Sequence, residues 1–322
     1  GAVAEAEYQD AIMAAYRTPL CSDVPMQALA PVTIKNVFGC PVSSASFSAE
    51  EIDALFPMRK LEEQKENVLL SFFTGDHAHV VTKDKELLAE RPHGTIIITP
   101  PDPCVIDNAL ISSTQYMYGI FNSHVVTGNT DLHKLLSTPR GSLNLLKNSG
   151  QRLYIRLDGA YRLLNLPGLF EMGMNYSRWY YKLKDDMLLI TAYTAADAAD
   201  LILDVKSQKG TPYDFILTSQ LVMGNNEYSS DITCTPISQG LRFTLDSAVY
   251  PGLHYDMTLP DCSFTASDDR IFFEDGAPFD ETFLTLSIDA SSSFGVLIRG
   301  YLGEDEDARA AAYALAQEKR SC

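Results

Sequence analysis

From residue 150 onward the chain alternates apolar and polar residues almost without interruption, and that alternation limits its folds more than any other feature. YIRLDGAYRLL, SRWYYKL, DMLLITAY, ADLILDVKS, YDFILTSQLVM, GLRFTLD, DRIFFEDG, FLTLSID and SFGVLIRGYL each fit a period of two or a short buried run. Turn residues separate them: Gly159, Asp185-Asp186, Gly210 to Pro212, Gly240, and Asp275-Gly276. Hairpin-length connections and few crossover helices predict antiparallel sheets packed on one another. No fixed-period repeat or low-complexity segment interrupts them.

The first part of the chain is less regular. Residues 1–16 read as a short amphipathic helix, and 17–45 carry four prolines and no clear period. Ser48 followed by acids in SAEEIDALFPMRKLEEQK signals a helix start, which Pro57 interrupts or ends. NVLLSFFTG, HAHVVTK and GTIIITPPDP read as strands, the last ended by its prolines. The C-terminal run LGEDEDARAAAYALAQEKRSC has acids first, bases last and an Ala/Leu interior, a charge-complemented helix. The expected organisation is a mainly β domain over 1–303, with an irregular or helical segment at 1–66, and the start of a helical linker at 304–322. The chain opens on Gly1 and not Met, so either its natural start is expected to lie upstream or a signal to have been trimmed away.

Composition narrows the partners. A formal net charge of −17 over 322 residues repels phosphate backbones and anionic lipid, so neither nucleic acid nor membrane is expected as a partner. No apolar run reaches the length of a membrane span. The six cysteines, Cys21, Cys40, Cys104, Cys234, Cys262 and Cys322, contain no CxxC pair and are read as free thiols, with the cytoplasm as the expected compartment.

The segment Leu163–Leu183, LLNLPGLFEMGMNYSRWYYKL, holds the only Trp. With Asp185-Asp186 as a hairpin loop, Leu183 lies opposite Leu188, Tyr181 opposite Ile190 and Trp179 opposite Ala192. That face is wholly apolar, so Trp179 is read as core. Arg178, Tyr180, Lys182 and Thr191 share the other face, toward solvent or a ligand. The preceding NLPGLFEMGMNY, residues 165–176, contains Pro167, Gly168 and Gly173 and cannot be strand throughout. Phe170, Met172, Met174 and Tyr176 are expected to project from it, either under the loop or toward a partner.

Other chemistry is sparse. His77 and His79 would share one strand face, but no third ligand is apparent, so no metal is expected. Glu304–Asp307 lacks the spaced calcium loop. FNSHVVTGNT, residues 121–130, reads as a polar loop able to meet sugar hydroxyls or to form an ordinary turn. No phosphate loop, GxSxG or HExxH pattern occurs, and no cofactor is expected.

TQYMYGIFNSHVVTGNT (114–130), SGQRLYIRLDGAYRLLNLPGLFEMGMNYSRWYYKL (149–183) and FILTSQLVMGNNEY (215–228) resemble the N-terminal region of 1,2-β-oligoglucan phosphorylases, inverting β-glucoside phosphorylases of glycoside hydrolase family 94. The resemblance is densest from Tyr116 to Tyr228. It implies a large β-sandwich of the galactose-mutarotase-like supersandwich type, followed by a linker and an (α/α)6 barrel that holds the general acid and the phosphate site. No catalytic residue therefore carries over to this chain. The implied role is a non-catalytic domain that shapes the substrate entrance and a homodimer interface. The implied partners are β-1,2-glucooligosaccharide and the barrel, of the same or a second subunit. By that resemblance Phe170, Glu171, Met174 and Asn175, with Asn165 nearby, are the candidate sugar-facing residues. An independent carbohydrate-binding or mutarotase-like sandwich is the alternative.

Overall fold

A computed structural model describes residues 33–89, 92–100, 110–128, 134–136, 150–224, 231–246, 251–278 and 283–302. The chain divides into a unit of residues 1–33 and one from Ile34 onward, and every sheet described below belongs to the second. The helices expected over 1–16 and 304–322 lie outside the described residues, as do the acids at Glu304–Asp307.

The described unit is built from three antiparallel sheets. The largest has eleven strands. It starts at the edge with β1 (Arg59–Lys65), β2 (Val68–Thr74) and β3 (His79–Thr82). It continues through β9 (Leu169–Met172), β10 (Tyr176–Lys182), β11 (Met187–Thr194) and β12 (Asp200–Ser207). It ends with β19 (Ser293–Tyr301), β16 (His254–Thr258), β15 (Gly240–Leu245) and β14 (Ile232–Ile237). A five-stranded sheet follows the order β17 (Thr265–Ser267), β18 (Phe283–Ser291), β13 (Tyr213–Gln220), β7 (Gln151–Leu157) and β8 (Ala160–Leu163). A three-stranded sheet is made of β4 (Gly94–Ile98), β5 (Ile111–Tyr116) and β6 (Ile120–Thr127).

Both smaller sheets pack on one face of the large one. Phe121 of β6 meets Trp179 edge-on at 5.0 Å, and Phe215 of β13 meets Phe294 of β19 at 5.2 Å. Along β11 every second residue is buried, so Leu188, Ile190 and Ala192 join Leu203, Val205, Val296 and Ile298 in one core. Each such aliphatic side chain removed from water contributes about 1.5–3 kcal/mol before conformational entropy is subtracted.

Two helices flank this framework. Helix α1 (Ala49–Leu55) begins at a full capping box, in which the Ser48 hydroxyl accepts from the Glu51 amide and the Glu51 carboxylate accepts from the Ser48 amide. It stops two residues before Pro57. Helix α2 (Lys83–Leu88) is capped by Thr82. Ile52 and Phe56 at α1 lie over the outer face of the large sheet and form a second core with Phe72, Val80, Leu169 and Tyr180. Tyr180 was expected to face solvent or a ligand; the helix covers it instead.

Three further expectations are corrected. The β10–β11 register is offset by two residues from the one expected: Trp179 lies opposite Ile190, Tyr181 opposite Leu188, and Lys182 opposite Met187. A shift of two preserves the faces, so the apolar side remains apolar. The offset follows from a longer turn, in which the Asp186 carboxylate accepts from the Met187 and Lys209 amides and from the Ser207 hydroxyl. DRIFFEDG is not a strand: Asp268 accepts the Arg270 amide and starts a 3-10 turn over Asp269–Phe272. FNSHVV is not a loop; it forms most of β6 and is buried along nearly its whole length.

Candidate functional site

The candidate segment divides between the two faces of the large sheet because its residues lie on consecutive strand positions. Phe170 points into the main core, is fully shielded, and packs on Trp179 at 5.1 Å. It does not project, contrary to the expectation. Pro167, Gly168 and the start of β9 instead lie against β10, with Gly168 donating to the Tyr180 carbonyl. Trp179 is also fully buried, as expected, and its indole N–H donates to the Tyr116 carbonyl at 3.1 Å.

Glu171, one residue on, points to the outer side and is 5% exposed. Its carboxylate accepts from the Tyr176 hydroxyl at 2.7 Å, the Tyr180 hydroxyl at 2.6 Å and the Arg178 guanidinium at 3.3 Å. Arg178 lies directly opposite Glu171 in the β9–β10 ladder, sits 5.3 Å over the Tyr176 ring, and donates from Nε to Thr191. Burial raises both phenols well above the ordinary tyrosine range, and the neighbouring Glu171 charge raises them further. They therefore remain neutral donors at physiological pH. Glu171 was expected to be open to a sugar; with three donors around it, it is an internal clamp.

The clamp fixes the turn between β9 and β10. Gly173 donates to the Tyr176 carbonyl at 2.9 Å, and a Cβ at Gly173 would fall 2.1 Å from the Tyr176 ring, so only glycine lets the ring lie there. Asn175 is half-buried, its amide donating to the Thr194 carbonyl at 3.3 Å. Met174, at the tip, is 85% exposed. Of the four candidates the structure brings Met174 and Asn175 together at the surface, places Glu171 beneath them and Phe170 on the opposite face. Asn165 is also half-buried, its carbonyl accepting from the Tyr181 hydroxyl at 2.7 Å.

The sequence pattern had placed Arg178 on this face but did not reveal the group around it. Tyr193 lies opposite Tyr176, and its phenol is pushed up to about 12 by burial and then by the charge of Asp204. Further along the same face, paired residues on β12, β19, β16 and β15 form an alternating ladder, Asp200, Arg299, Asp256 and Arg242. Arg299 grips Asp200 with a two-pronged contact at 2.6 and 2.5 Å, and Arg242 grips Asp256 at 2.7 and 2.8 Å. These partners are distant in sequence, so only the sheet register brings them together.

The remaining sequence candidates do not form sites. His77 sits in a turn with φ of +66°, while His79 is in β3, stacked on Phe73 at 4.7 Å, so the two do not share a strand face. Among the described residues no group of three or more His, Cys, Asp or Glu is placed to hold a metal ion. Asn122, from the expected polar loop, is buried between Gln115 and Gln151 and bonded to both. Cys40, Cys234 and Cys262 are free thiols; Cys21, Cys104 and Cys322 lie outside the described residues. Among the described residues no helix is long and apolar enough to cross a membrane.

Comparison with known proteins settles the family. The model of the glycoside phosphorylase supersandwich domain matches residues 56–300, well over half of the chain. The chain belongs to the glycoside phosphorylase supersandwich domain family. The match covers all nineteen described strands except the last residue of β19. The supersandwich domain is also 40% identical over 211 residues to a 1,2-beta-oligoglucan phosphorylase of Listeria innocua serovar 6a, a match covering 66% of this chain and 19% of that protein. The chain thus spans about a fifth of that relative. A solved structure, the 4-alpha-glucanotransferase from Thermococcus litoralis, is 13% identical, covers 65% of this chain and 39% of its own, and has a TM-score of 0.29. At that score it adds nothing to the fold or the function of the supersandwich domain.

Proposed function

We propose that this chain is a non-catalytic domain of a phosphorylase acting on β-1,2-glucooligosaccharides, and that its β9–β10 turn borders the substrate entrance. The observation that carries this reading is the 40% identity to a 1,2-beta-oligoglucan phosphorylase over 66% of the chain. The geometry supports it at one point: the Glu171 clamp is buried and satisfied, and the turn above it leaves Met174 almost fully exposed. A thioether at such a tip can cover the apolar C–H face of a sugar ring while the Asn175 amide meets a hydroxyl. Contact from one side desolvates little of the sugar, so tight binding requires an opposing wall. The reading assigns that wall to a helical barrel, of the same or a second subunit, which also supplies the acid and the phosphate site. A homodimer and a reducing cytoplasmic setting belong to the same reading.

The test is to incubate this chain with β-1,2-glucooligosaccharides and phosphate and assay α-glucose 1-phosphate. No turnover is expected. Turnover that survives repurification and is abolished by substituting a residue of this chain would overturn the non-catalytic assignment.

A further inference from the structure

A separate concavity lies on the outer side of the large sheet, at the opposite end of β9 from Met174. It is framed by the segment leading into α1, the β1–β2 hairpin and the start of α2, and encloses about 350 Å³, within the range of small-molecule sites. Its apolar wall is formed by Ile52, Val68, Leu69, Leu169 and the Phe47 ring. The ring is fixed from two sides. It lies so close to Gly168 that any Cβ there would come within 2.5 Å of it, and the Lys182 ammonium sits 5.7 Å over its centroid.

The polar rim is equally well fixed. The β1–β2 hairpin turns through Glu66 and Asn67, both at positive φ (+51° and +66°), between the closing pair Lys65 and Val68. That is the two-residue turn whose twist matches paired strands, and it sets Gln64 and Asn67 at the rim. Lys83 and Asp84, at the start of α2, line the same pocket. The Lys83 ammonium donates to the Ser44 carbonyl at 2.7 Å, which uses one of its three protons.

The lining selects among ligand classes. An anion would meet the carboxylates of Glu62 and Asp84, and a metal ion would meet Lys83 and Arg59. Arg59 is in any case held by Asp53 and Glu62. A hydrocarbon would strip water from amides and an ammonium without replacing their hydrogen bonds. A neutral ring with one apolar face and a rim of hydroxyls suits both walls, because each hydroxyl can donate to a carboxylate or amide oxygen and accept from an ammonium or amide N–H. We propose that this pocket binds a single neutral sugar ring, its C–H face on Phe47 and its hydroxyls on Gln64, Asn67, Lys83 and Asp84. The assignment rests on the pocket's own chemistry and stands whether or not the chain serves a phosphorylase.

The experiment is a titration of the chain with D-glucose, followed by ligand-observed NMR, and repeated in the presence of inorganic phosphate. The variants are Gln64→Ala and Lys83→Met, with Ile96→Ala, exposed on β4 and outside the pocket lining, as the comparison and circular dichroism as a folding check. Gln64 is exposed and its change should leave the fold intact. Saturable binding is expected, weakened about fivefold or more by each pocket variant, roughly the loss of one hydrogen bond. Binding should be unchanged by Ile96→Ala and not displaced by phosphate. Absence of saturable binding, indifference to both folded pocket variants, displacement by phosphate, or equal weakening by Ile96→Ala would each overturn the assignment.

Discussion

Phe170 and Glu171 are neighbours in the chain and opposites in the structure. Phe170 fills the interior with Trp179, Phe121 and Leu188, where its contribution is volume removed from water. Glu171 is almost as well shielded, yet its surroundings are two phenols and a guanidinium, and it sustains a polar network under an exposed turn. The inner face around Phe170 and Trp179 is filled mainly by apolar shape. The outer face holds Glu171, Asp200 and Asp256 because each has an arginine in register on the next strand. Burial alone therefore does not separate framework from candidate site; the chemistry of the partners does.

The largest expected effect is on the inner face. Trp179→Ala should destabilise by about 3–5 kcal/mol, as large-to-small aromatic changes in cores do, read as a drop in the urea midpoint. A stable variant with altered response to oligosaccharide would show that the indole faces a ligand. Next comes the clamp. Glu171→Ala leaves the buried Tyr180 phenol, the half-buried Tyr176 phenol and Arg178 without this acceptor, a loss of about 1.5–3 kcal/mol, and Glu171→Gln should recover part of it. If Glu171→Ala unfolds at the parent midpoint, the outer-face network contributes nothing to stability.

Alkali offers a further test of the outer face. Tyr176, Tyr180 and Tyr193 are raised above the ordinary tyrosine value of 10.0, so above pH 10 the folded form holds protons that the unfolded form releases. Unfolding then releases protons, and the stability these groups contribute is present below pH 10 and falls as pH rises beyond it. A phenolate absorbance titration should show these tyrosines ionising later than exposed ones, Tyr193 near pH 12. Ionisation of all sixteen tyrosines as one group at pH 10, with the fold intact, would contradict the outer-face geometry. The smallest stability effect belongs to Met174→Ala, within about 0.5 kcal/mol of the parent because the side chain contacts little.

Much of the framework was legible in the sequence, since period-two alternation and turn residues follow directly from how strands bury one face. The Asp185-Asp186 turn, the Ser48 helix start and the buried Trp179 were all visible in this way. The outer face was less so. Tyr180 reads as solvent-facing until α1, more than 120 residues earlier, covers it, and the alternating Asp200, Arg299, Asp256 and Arg242 come together only through strand order. Phe170 was misplaced because Pro167 and Gly168 suggested an irregular segment, whereas β9 starts immediately after them and alternation resumes. DRIFFEDG failed for a local reason: its Asp268 cap bonds the backbone two residues on, a turn that competes with extension.

The most direct test of the account sets Phe170→Ala against Met174→Ala in the full-length phosphorylase proposed to carry this domain, measuring melting temperature and the KM for β-1,2-glucooligosaccharide on the same preparations. The account predicts a large drop in melting temperature with unchanged KM for Phe170→Ala, and an unchanged melting temperature with raised KM for Met174→Ala. The reverse pattern, or a Met174→Ala enzyme indistinguishable from the parent in both, would contradict it.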